Sequence, residues 1–346
     1  MGGLRVLPAH LLWAVFVVSF VACGDEDIVP QTTQEAAICF GGSEQEAEAQ
    51  TRASAPLNHD FTVWGYKTVD GAPQLVFSGY AVTYRNGTAH TTESNTHNYE
   101  YVDETQTIKY WDFGASEYNF WGATGGNFAD QGTTLTIDDL TLTAGEPVSA
   151  VMFSSLYHRS PVSSEVVQLE FKRPYAKVRV VFYTGATLTD KSFDNIKITG
   201  ITFGPESPEQ IASSGSLTVS YPKTGKGPET YSTIPTAMAS NLTFGDVELN
   251  HGQGTSSSNA VTAVPTGGTE FYYVVPNNNA APFTLSAKID NEDKTAVVPA
   301  GFMDWLPNYV YTYIFKISGG KNMEFYDVQI EPWHYGGAQE EEWKNW

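Results

Sequence analysis

The residue whose surroundings most clearly specify a chemistry is Cys23. It follows an apolar stretch at 11–22, which itself follows the positive charge of Arg5, and Gly24 comes directly after it. A positive start, about a dozen apolar residues and small residues before a cut are the pattern of a secretory signal. A cysteine placed at the cut is typical of a bacterial lipoprotein signal, in which the thiol is acylated. We therefore predict a signal peptide at 1–22 and a lipid anchor, such as palmitate, on Cys23.

The length of the apolar run decides how this segment would meet a membrane. A stable membrane-spanning helix needs roughly 20 apolar residues, and the run at 11–22 is shorter than that. An acylated cysteine would instead tether the mature chain by lipid. A plain signal peptide that happens to contain a cysteine is the alternative.

The charge and the cysteine content exclude some classes of protein. The chain has 39 Asp and Glu residues against 19 Lys and Arg, which argues against nucleic acid as a partner because the phosphate backbone attracts basic surfaces. Its two cysteines are Cys23 and Cys39. If Cys23 carries lipid, no intramolecular disulfide can form, and the exported chain must rely on its hydrophobic core.

The composition predicts an all-β protein. The 346 residues include 19 Tyr, 19 Phe and 8 Trp, residues that favour strands, and runs of strong helix formers are nearly absent. From Phe61 onward, short strand-like segments alternate with turn residues such as Asp70-Gly71. Strands at spacings of about 8 to 12 residues suggest a β-sandwich. A segment at 154–165 resembles a linker between two such sets.

These patterns give a domain plan. We predict two antiparallel β-sandwiches in series after a processed N-terminal region. The predicted parts are a signal peptide at 1–22, a lipidated leader at 23–52, an N-terminal sandwich at 53–164 and a C-terminal sandwich at 165–346.

Two features of the leader carry information. Arg52, followed by Ala53, is the only lysine or arginine between Cys23 and Lys67. The strand-like piece of the leader is 36–40, which two glycines follow. The acidic cluster at 24–27 resembles the surface-export signal of Bacteroidetes lipoproteins, although a solvated tether would have the same composition.

No group of residues has the spacing of a catalytic or metal site. The seven histidines are scattered, and neither a zinc-binding spacing nor a nucleophile elbow is present. Asp138-Asp139 and the acidic run at 291–293 lack the spacing of a calcium loop. We therefore predict a protein that is not an enzyme, with no cofactor and no metal.

Six aromatic-rich segments occur in an order and at spacings that resemble those of the fimbrillin family of Bacteroidetes. Members of this family are the subunits of type V pili. They are FTVWGY at 61–66, YWDF at 110–113, YNFW at 118–121, LEFKRPYAKV at 169–178, LPNYVYTY at 306–313 and VQIEPW at 328–333. The resemblance spans nearly the whole chain. It departs from the family at Arg173, where a His more often follows the Phe-Lys pair.

The resemblance implies a surface fimbrial subunit with transthyretin-like sandwiches that assembles by strand addition. Family members reach the outer membrane surface as lipoproteins, and an arginine-specific protease removes the leader with its first strand. Carried over to this chain, the cut falls between Arg52 and Ala53 and removes the strand at 36–40. A strand of another subunit then fills the vacated groove, which supports adhesion and biofilm formation.

The strand given to a neighbouring subunit would begin at about Met323. Its candidate residues are Tyr326, Val328, Ile330 and Trp333, and we expect the first three to lie on one face. The alternative is that this segment is the ordinary last strand of the second sandwich. Trp333, with Trp343 and Trp346, is expected in an exposed tail, where tryptophan would favour docking.

Two other functions remain open on the sequence. One is a fimbrial anchor that stays in the membrane. The other is a monomeric surface lipoprotein that binds a glycan or another host or bacterial surface receptor, with Trp64, Trp111, Trp121 and Trp305 as platforms for sugars or as core residues.

Overall fold

The computed structural model describes residues 37–44, 57, 60–82, 109–125, 128–130, 132–143, 146–147, 151–161, 166–185, 195–205, 211–239, 241–250, 254–267, 270–278, 281–318 and 321–333. All of them belong to one compact unit at 36–346, distinct from residues 1–35. The predicted signal peptide, Cys23, Arg52 and Ala53 lie outside the described residues. Within the described ranges, no helix has the length and apolar character needed to cross a membrane.

The described ranges consist of strands, loops and two short 3-10 turns at Ser257–Asn259 and Ala300–Phe302, so the predicted all-β class is confirmed. In chain order the strands are β1 (Phe40–Glu44), β2 (Phe61–Val69), β3 (Ala72–Val82), β4 (Glu117–Thr124), β5 (Phe128–Asp130), β6 (Thr134–Thr143), β7 (Glu146–Pro147), β8 (Met152–Ser154), β9 (Tyr157–Arg159), β10 (Val167–Lys172), β11 (Ala176–Tyr183), β12 (Ile196–Pro205), β13 (Ile211–Ser220), β14 (Thr230–Ala239), β15 (Leu242–Thr243), β16 (Val247–Leu249), β17 (Val261–Ala263), β18 (Tyr272–Val274), β19 (Asn277–Asn278), β20 (Phe283–Ile289), β21 (Glu292–Val298), β22 (Asp304–Trp305), β23 (Tyr309–Ile317) and β24 (Met323–Pro332).

The strands form four larger sheets. The first has the order β1-β10-β8-β4-β2-β3, with β9 beside β4, and the second has the order β14-β13-β6-β5, with β7 beside β6. The third is β17-β11-β23-β24, with β18 beside β11, and the fourth is β15-β12-β20-β21, with β16 beside β12. Strands β19 and β22 make a small two-stranded sheet. In the described part of the chain, β1–β10 and β11–β23 are parallel pairs.

The turn chemistry of the sequence explains the tightest hairpins. Asp70 and Gly71 join β2 to β3 with φ values of 51° and 77°. Asp290 and Asn291 join β20 to β21 with φ values of 48° and 71°. Two central residues with positive φ match the right-handed twist of the flanking strands. The predicted tight turn at Asp70-Gly71 is confirmed, and Asn291 belongs to a hairpin turn.

The first sheet curls until its two end strands meet. Phe40 of β1 packs against Phe77 of β3, with the ring centroids 5.1 Å apart. The curl needs glycines in the strands, because a Cβ at Gly65 would lie 2.2 Å from the ring of Phe120 and one at Gly122 would lie 3.0 Å from Leu169. The inside of the curl holds an apolar cluster whose members include Ile38, Phe40, Leu57, Phe61, Val63, Phe77, Phe120, Val167, Leu169 and Phe171.

Two further large clusters belong to the core, beside a small one formed by Val181, Tyr183 and Ile314. One lies between the outer face of the first sheet and the second sheet, and it continues to Tyr175, Val275 and Trp333. The other lies between the third and fourth sheets and includes Phe203, Leu285, Tyr313 and Phe315 among many aliphatic residues. The architecture is that of packed β-sheets, as expected for sandwiches, while the transthyretin-like topology stays a prediction.

The predicted division between residues 164 and 165 also stays a prediction. Strand β10, which follows it, is the neighbour of β1 in the first sheet, and β13 pairs with β6 in the second. The segment at 154–165 was expected to be a linker, but it contains β9, which pairs with β4. The expectation was wrong there because serine- and proline-containing sequence can still form a short strand where a neighbouring backbone offers hydrogen bonds.

Candidate functional site

The leader strand β1 is the described part of the leader and the centre of the candidate site. It runs parallel to β10, with Phe40 opposite Val167, and all five of its residues are buried. On its other side, the backbone N–H of Leu57 donates a hydrogen bond to the carbonyl of Gly42 at 3.0 Å. Although β1 ends the first sheet, the backbone of Leu57 therefore meets its outer edge at Gly42.

The strand begins later than the sequence suggested. We predicted 36–40, whereas the strand covers Phe40–Glu44 and is preceded by a single antiparallel bridge between Ala37 and Tyr110. The prediction ended the strand at Gly41-Gly42 because paired glycines usually indicate a turn. Packing explains the difference: a Cβ at Gly42 would lie 3.1 Å from the side chain of Leu57 and 3.2 Å from that of Phe171.

Beneath β1 lies an aromatic surface. The ring of Phe40 meets Phe77 at 5.1 Å and Phe120 at 5.5 Å, both edge to face, an arrangement that aromatic rings favour. Ile38, just before the strand, is fully buried in the same cluster. If β1 were absent, these side chains would line an apolar groove beside the free backbone edge of β10.

The last residue of β1 is linked by charge to the far end of the chain. The carboxylate of Glu44 lies 3.6 Å from the guanidinium of Arg173. That guanidinium also lies over the ring of Trp333, with its carbon 5.5 Å from the ring centroid. Both side chains of the ion pair are largely buried, so the pair is worth more than an exposed one.

Trp333 is buried at the junction of the sheets, with 8% of its surface exposed. Its ring lies 4.3 Å from the ammonium of Lys177 and 5.3 Å from the ring of Tyr273. Its backbone N–H donates to the carbonyl of Asn308 at 2.7 Å. The expectation of an exposed tail was wrong at this residue, because cation–π contacts and the apolar junction hold it. Trp343 and Trp346 lie outside the described residues.

The predicted donor segment forms β24, the edge strand of the third sheet, which pairs with β23. A β-bulge opposite Ile314 and Phe315 interrupts the alternation of its side chains. Val328 therefore packs on the core between the third and fourth sheets, whereas Tyr326 packs on Tyr183 at 5.2 Å. The expectation that Tyr326, Val328 and Ile330 share one face was wrong for Tyr326.

The four tryptophans considered as sugar platforms are core residues. Trp64, Trp111, Trp121 and Trp305 are each at most 2% exposed. Trp305, for example, donates its indole N–H to the hydroxyl of Tyr313 at 2.9 Å. None of them can present a ring face to a ligand in this conformation.

The described ranges hold no group of three or more His, Cys, Asp or Glu side chains that could share a metal ion.

Sequence reasoning missed three residues of the site. Leu57 and Arg173 contact β1, and Glu44 is its last residue. Arg173 lies in the aromatic-rich segment at 169–178, but that segment gives no sign of a contact with Glu44. A weak signal existed for Leu57, which is the first large apolar residue after Arg52. Nothing in the sequence pairs Glu44 with Arg173, which are more than a hundred residues apart.

Comparison with known proteins assigns the family. The model of the family described as fimbrillin-like matches residues 51–333. Among solved structures, the chain is similar to a fimbrial protein from Bacteroides vulgatus, with 12% identity over 86% of this chain and 99% of that one and a TM-score of 0.46. It is also similar to a fimbrial assembly protein from Parabacteroides distasonis, with 10% identity over 86% and 100% of the two chains and a TM-score of 0.37. Among curated proteins, none matches. Because the family match covers most of the sequence, this chain belongs to the fimbrillin-like family.

Proposed function

We propose that this chain is a structural subunit of a surface fimbria that assembles when a protease removes β1. In this proposal the chain is exported as a lipoprotein acylated on Cys23, and cleavage between Arg52 and Ala53 detaches the leader. A strand of another subunit then enters the groove, and the assembled fimbria supports adhesion and biofilm formation.

The observation that carries this proposal is where β1 and its surroundings lie in the chain. β1 precedes Arg52, whereas the residues that enclose it, among them Leu57, Phe77 and Phe171, all follow Arg52. One cut at Arg52 would therefore separate a buried strand from an otherwise intact sandwich.

The physical consequence of that cut favours assembly. The edge of β10 would lose its backbone partners, and the aromatic surface beneath β1 would meet water. A strand from another subunit supplies both the hydrogen bonds and the apolar side chains, which is β-augmentation. Keeping β1 in place until export protects the subunit, because an open apolar sheet edge promotes aggregation.

This function needs several partners. They are other fimbrial subunits, an arginine-specific protease, a lipid anchor in the precursor and a receptor on a host or bacterial surface. The location is the outer membrane and then the fimbrium. The role of the chain itself is structural and not catalytic.

The test is N-terminal sequencing of the protein recovered from sheared surface material, for the wild type and for Arg52→Ala. We expect a wild-type chain that begins at Ala53 in a high-mass fraction, and an Arg52→Ala chain that keeps its leader and stays in the membrane. A wild-type chain still blocked by lipid at Cys23, and found as a membrane-bound monomer, would refute strand exchange. It would instead support a membrane-retained anchor or a glycan-binding lipoprotein.

A further inference from the structure

The outer face of the fourth sheet carries a concave patch of hydroxyl groups. Four hydroxyl-bearing residues on three neighbouring strands line a cavity of about 420 Å³: Thr202 of β12, Thr284 and Ser286 of β20, and Thr295 of β21. Their sequence neighbours Phe203, Leu285 and Ala296 belong to the core between the third and fourth sheets. Because side chains alternate along a strand, the four hydroxyls point away from that core.

The register of the sheet places these groups in rows. Ser286 lies opposite Thr202 on one side and opposite Thr295 on the other. In the next row, Thr284 lies opposite Gly204, which has no side chain to fill the space beside it. Neighbouring strands are about 4.8 Å apart, and residues two positions apart along a strand are separated by about 6.7 Å. A small rigid molecule in the cavity would therefore meet several hydroxyls at once.

The hydroxyls of this patch are not used within the fold. In the described part of the chain, none of the four forms a hydrogen bond with another protein group. Hydroxyl pairs on the second sheet behave differently, because those of Thr136 and Thr218 lie 3.2 Å apart and those of Ser214 and Thr236 lie 2.8 Å apart. The hydroxyls on the fourth sheet thus keep their capacity to donate and accept hydrogen bonds for a ligand.

The charge of the surroundings restricts the ligand to a neutral one. Among the described residues that line the cavity, none is charged. In the adjoining row, Lys288 lies opposite Asp293, and their charged groups are 3.8 Å apart, so the two charges offset each other. An anionic ligand would meet no free cation there and would be repelled by a chain with a net charge of -20. A metal cation would find no carboxylate in the lining.

The hydrogen-bonding chemistry of the lining matches a sugar. A hydroxyl group and the side-chain amide of Asn241, which also lines the cavity, both donate and accept hydrogen bonds, as the hydroxyls of a sugar do. A sugar ring also presents C–H groups on its faces, and Pro205 and the half-exposed Val297 supply apolar surface in the same cavity. Its volume falls within the range of roughly 300–1,000 Å³ that is common for ligand sites.

We propose that this cavity binds a neutral glycan through the hydroxyls of Thr202, Thr284 and Ser286. Its role in adhesion rests on the proposed function and gives the chemical class of the receptor. The binding itself requires neither cleavage nor strand exchange, because the cavity lies on a different sheet from β1. No aromatic ring is among the described residues of the lining, so we expect weak binding at each site, with a Kd of about 1–10 mM. Repeated display along a fimbria would raise the overall avidity.

The first test measures the binding of small sugars to the purified full chain by saturation-transfer NMR. The probes are the neutral disaccharides maltose, lactose and diacetylchitobiose, with sialyllactose as the acidic counterpart. We expect at least one neutral probe to bind with a Kd of about 1–10 mM, equally before and after cleavage at Arg52, and sialyllactose to bind no more tightly than lactose. The inference is overturned if no neutral probe binds at about 10 mM, or if sialyllactose is the only probe that binds.

The second test removes the hydroxyls while keeping the shape of the side chains. The double variant Thr202→Val/Thr284→Val should bind the best neutral probe at least about tenfold more weakly, because two hydrogen bonds to the ligand are lost. Ser286→Phe should abolish binding by filling the cavity. The matched control is Thr230→Val, an exposed threonine on β14, whose affinity should equal that of the wild type. Thermal unfolding of each variant checks that its fold is intact.

The outcomes separate this inference from the proposed function. If the double variant and Ser286→Phe bind the probe as tightly as the wild type does, the cavity is not the site and the inference is overturned, while strand exchange still stands. If the double variant loses binding but forms polymer normally after cleavage, the cavity is the glycan site. If the cleaved wild type never forms polymer but the binding results are as expected, the proposed assembly is overturned and the glycan site stands.

Discussion

Strands β1 and β24 both end a sheet, yet they are held in opposite ways. β1 has five residues, all buried, and Leu57 donates a hydrogen bond to Gly42 at its outer edge. β24 has ten residues, most of them exposed, and Tyr326 and Ile330 show 55% and 49% of their surface to solvent. β24 is also interrupted by a bulge.

The difference shows that the length of a strand does not decide how firmly its sheet depends on it. β1 is short, but the curl of the first sheet closes over it, so its side chains are part of the core. β24 is long and lies at the edge of its sheet, where Met323, Phe325 and Val328 pack on the core while most of its other residues are exposed. Every residue of β1 is buried, whereas most residues of β24 already meet solvent, so we expect the fold to depend more on each residue of β1.

The largest expected effect compares one apolar side chain from each strand. Phe40→Ala should lower the free energy of unfolding by about 3–5 kcal/mol, because it leaves a cavity between Phe77 and Phe120. Ile330→Ala should cost less than about 1 kcal/mol, since half of that side chain is already exposed. Urea unfolding of the uncleaved chain measures both. Equal losses would contradict the comparison.

The next effect concerns β10, the strand that pairs with β1. Lys172, at the end of β10, forms a buried ion pair with Glu229, which also accepts a hydrogen bond from Tyr231 at 2.8 Å. Lys172→Met would leave an unpaired buried carboxylate and should cost about 3 kcal/mol. The control is Lys294→Met, whose partner Glu292 is exposed, and it should cost less than about 0.5 kcal/mol.

The same pair gives a pH dependence. Burial by itself raises the pKa of Glu229, but the charge and hydrogen bond of Lys172 outweigh it and hold the pKa below its ordinary value of 4.5. Because the folded pKa is depressed, the pair stabilises the fold fully above the ordinary value and loses its effect as the pH falls through the folded value. We compare the free energy of unfolding in urea, from pH 7 downward, for the wild type and a Lys172→Met/Glu229→Leu variant. The stability of the wild type should fall relative to that of the variant once the pH drops below the ordinary value of 4.5. A constant difference would refute the assignment.

A smaller effect tests how closely Leu57 and Phe171 pack against the middle of β1. Gly42→Val should cost about 1–3 kcal/mol, because the new side chain collides with Leu57 and Phe171. Combining it with Leu57→Ala should recover part of that loss, giving a coupling energy of about 1 kcal/mol in a double-mutant cycle. Additive losses would show that Leu57 does not fill the space above Gly42.

The smallest effect lies at the end of β1. Glu44→Gln should cost no more than about 1 kcal/mol, since the two groups lie 3.6 Å apart, beyond hydrogen-bonding distance, and a quarter of the Arg173 side chain stays exposed. Thermal unfolding of the uncleaved chain at low and high salt checks this result. A loss as large as that of Phe40→Ala would mean that charge, rather than apolar burial, holds β1.

Particular residues show where sequence reasoning succeeds. Asp70-Gly71 was predicted as a tight turn because these residues tolerate positive φ, and local backbone preference is enough to decide such a turn. The family was identified from ordered aromatic segments, most of which lie in strands. Gly41-Gly42 and Trp333 were misjudged because their roles depend on Leu57, Phe171 and Lys177, which are distant from them in sequence.

The sequence by itself determined the all-β class, the tight turns and the family, because β propensity, turn chemistry and the order of motifs are local properties. Only the tertiary structure decided that the leader strand is Phe40–Glu44, that it lies parallel to β10 and that its second glycine packs closely against Leu57 and Phe171. The physical reason is that packing in a curled sheet brings together residues that are far apart in the sequence. Whether a position admits a side chain depends on what the rest of the fold has already placed there.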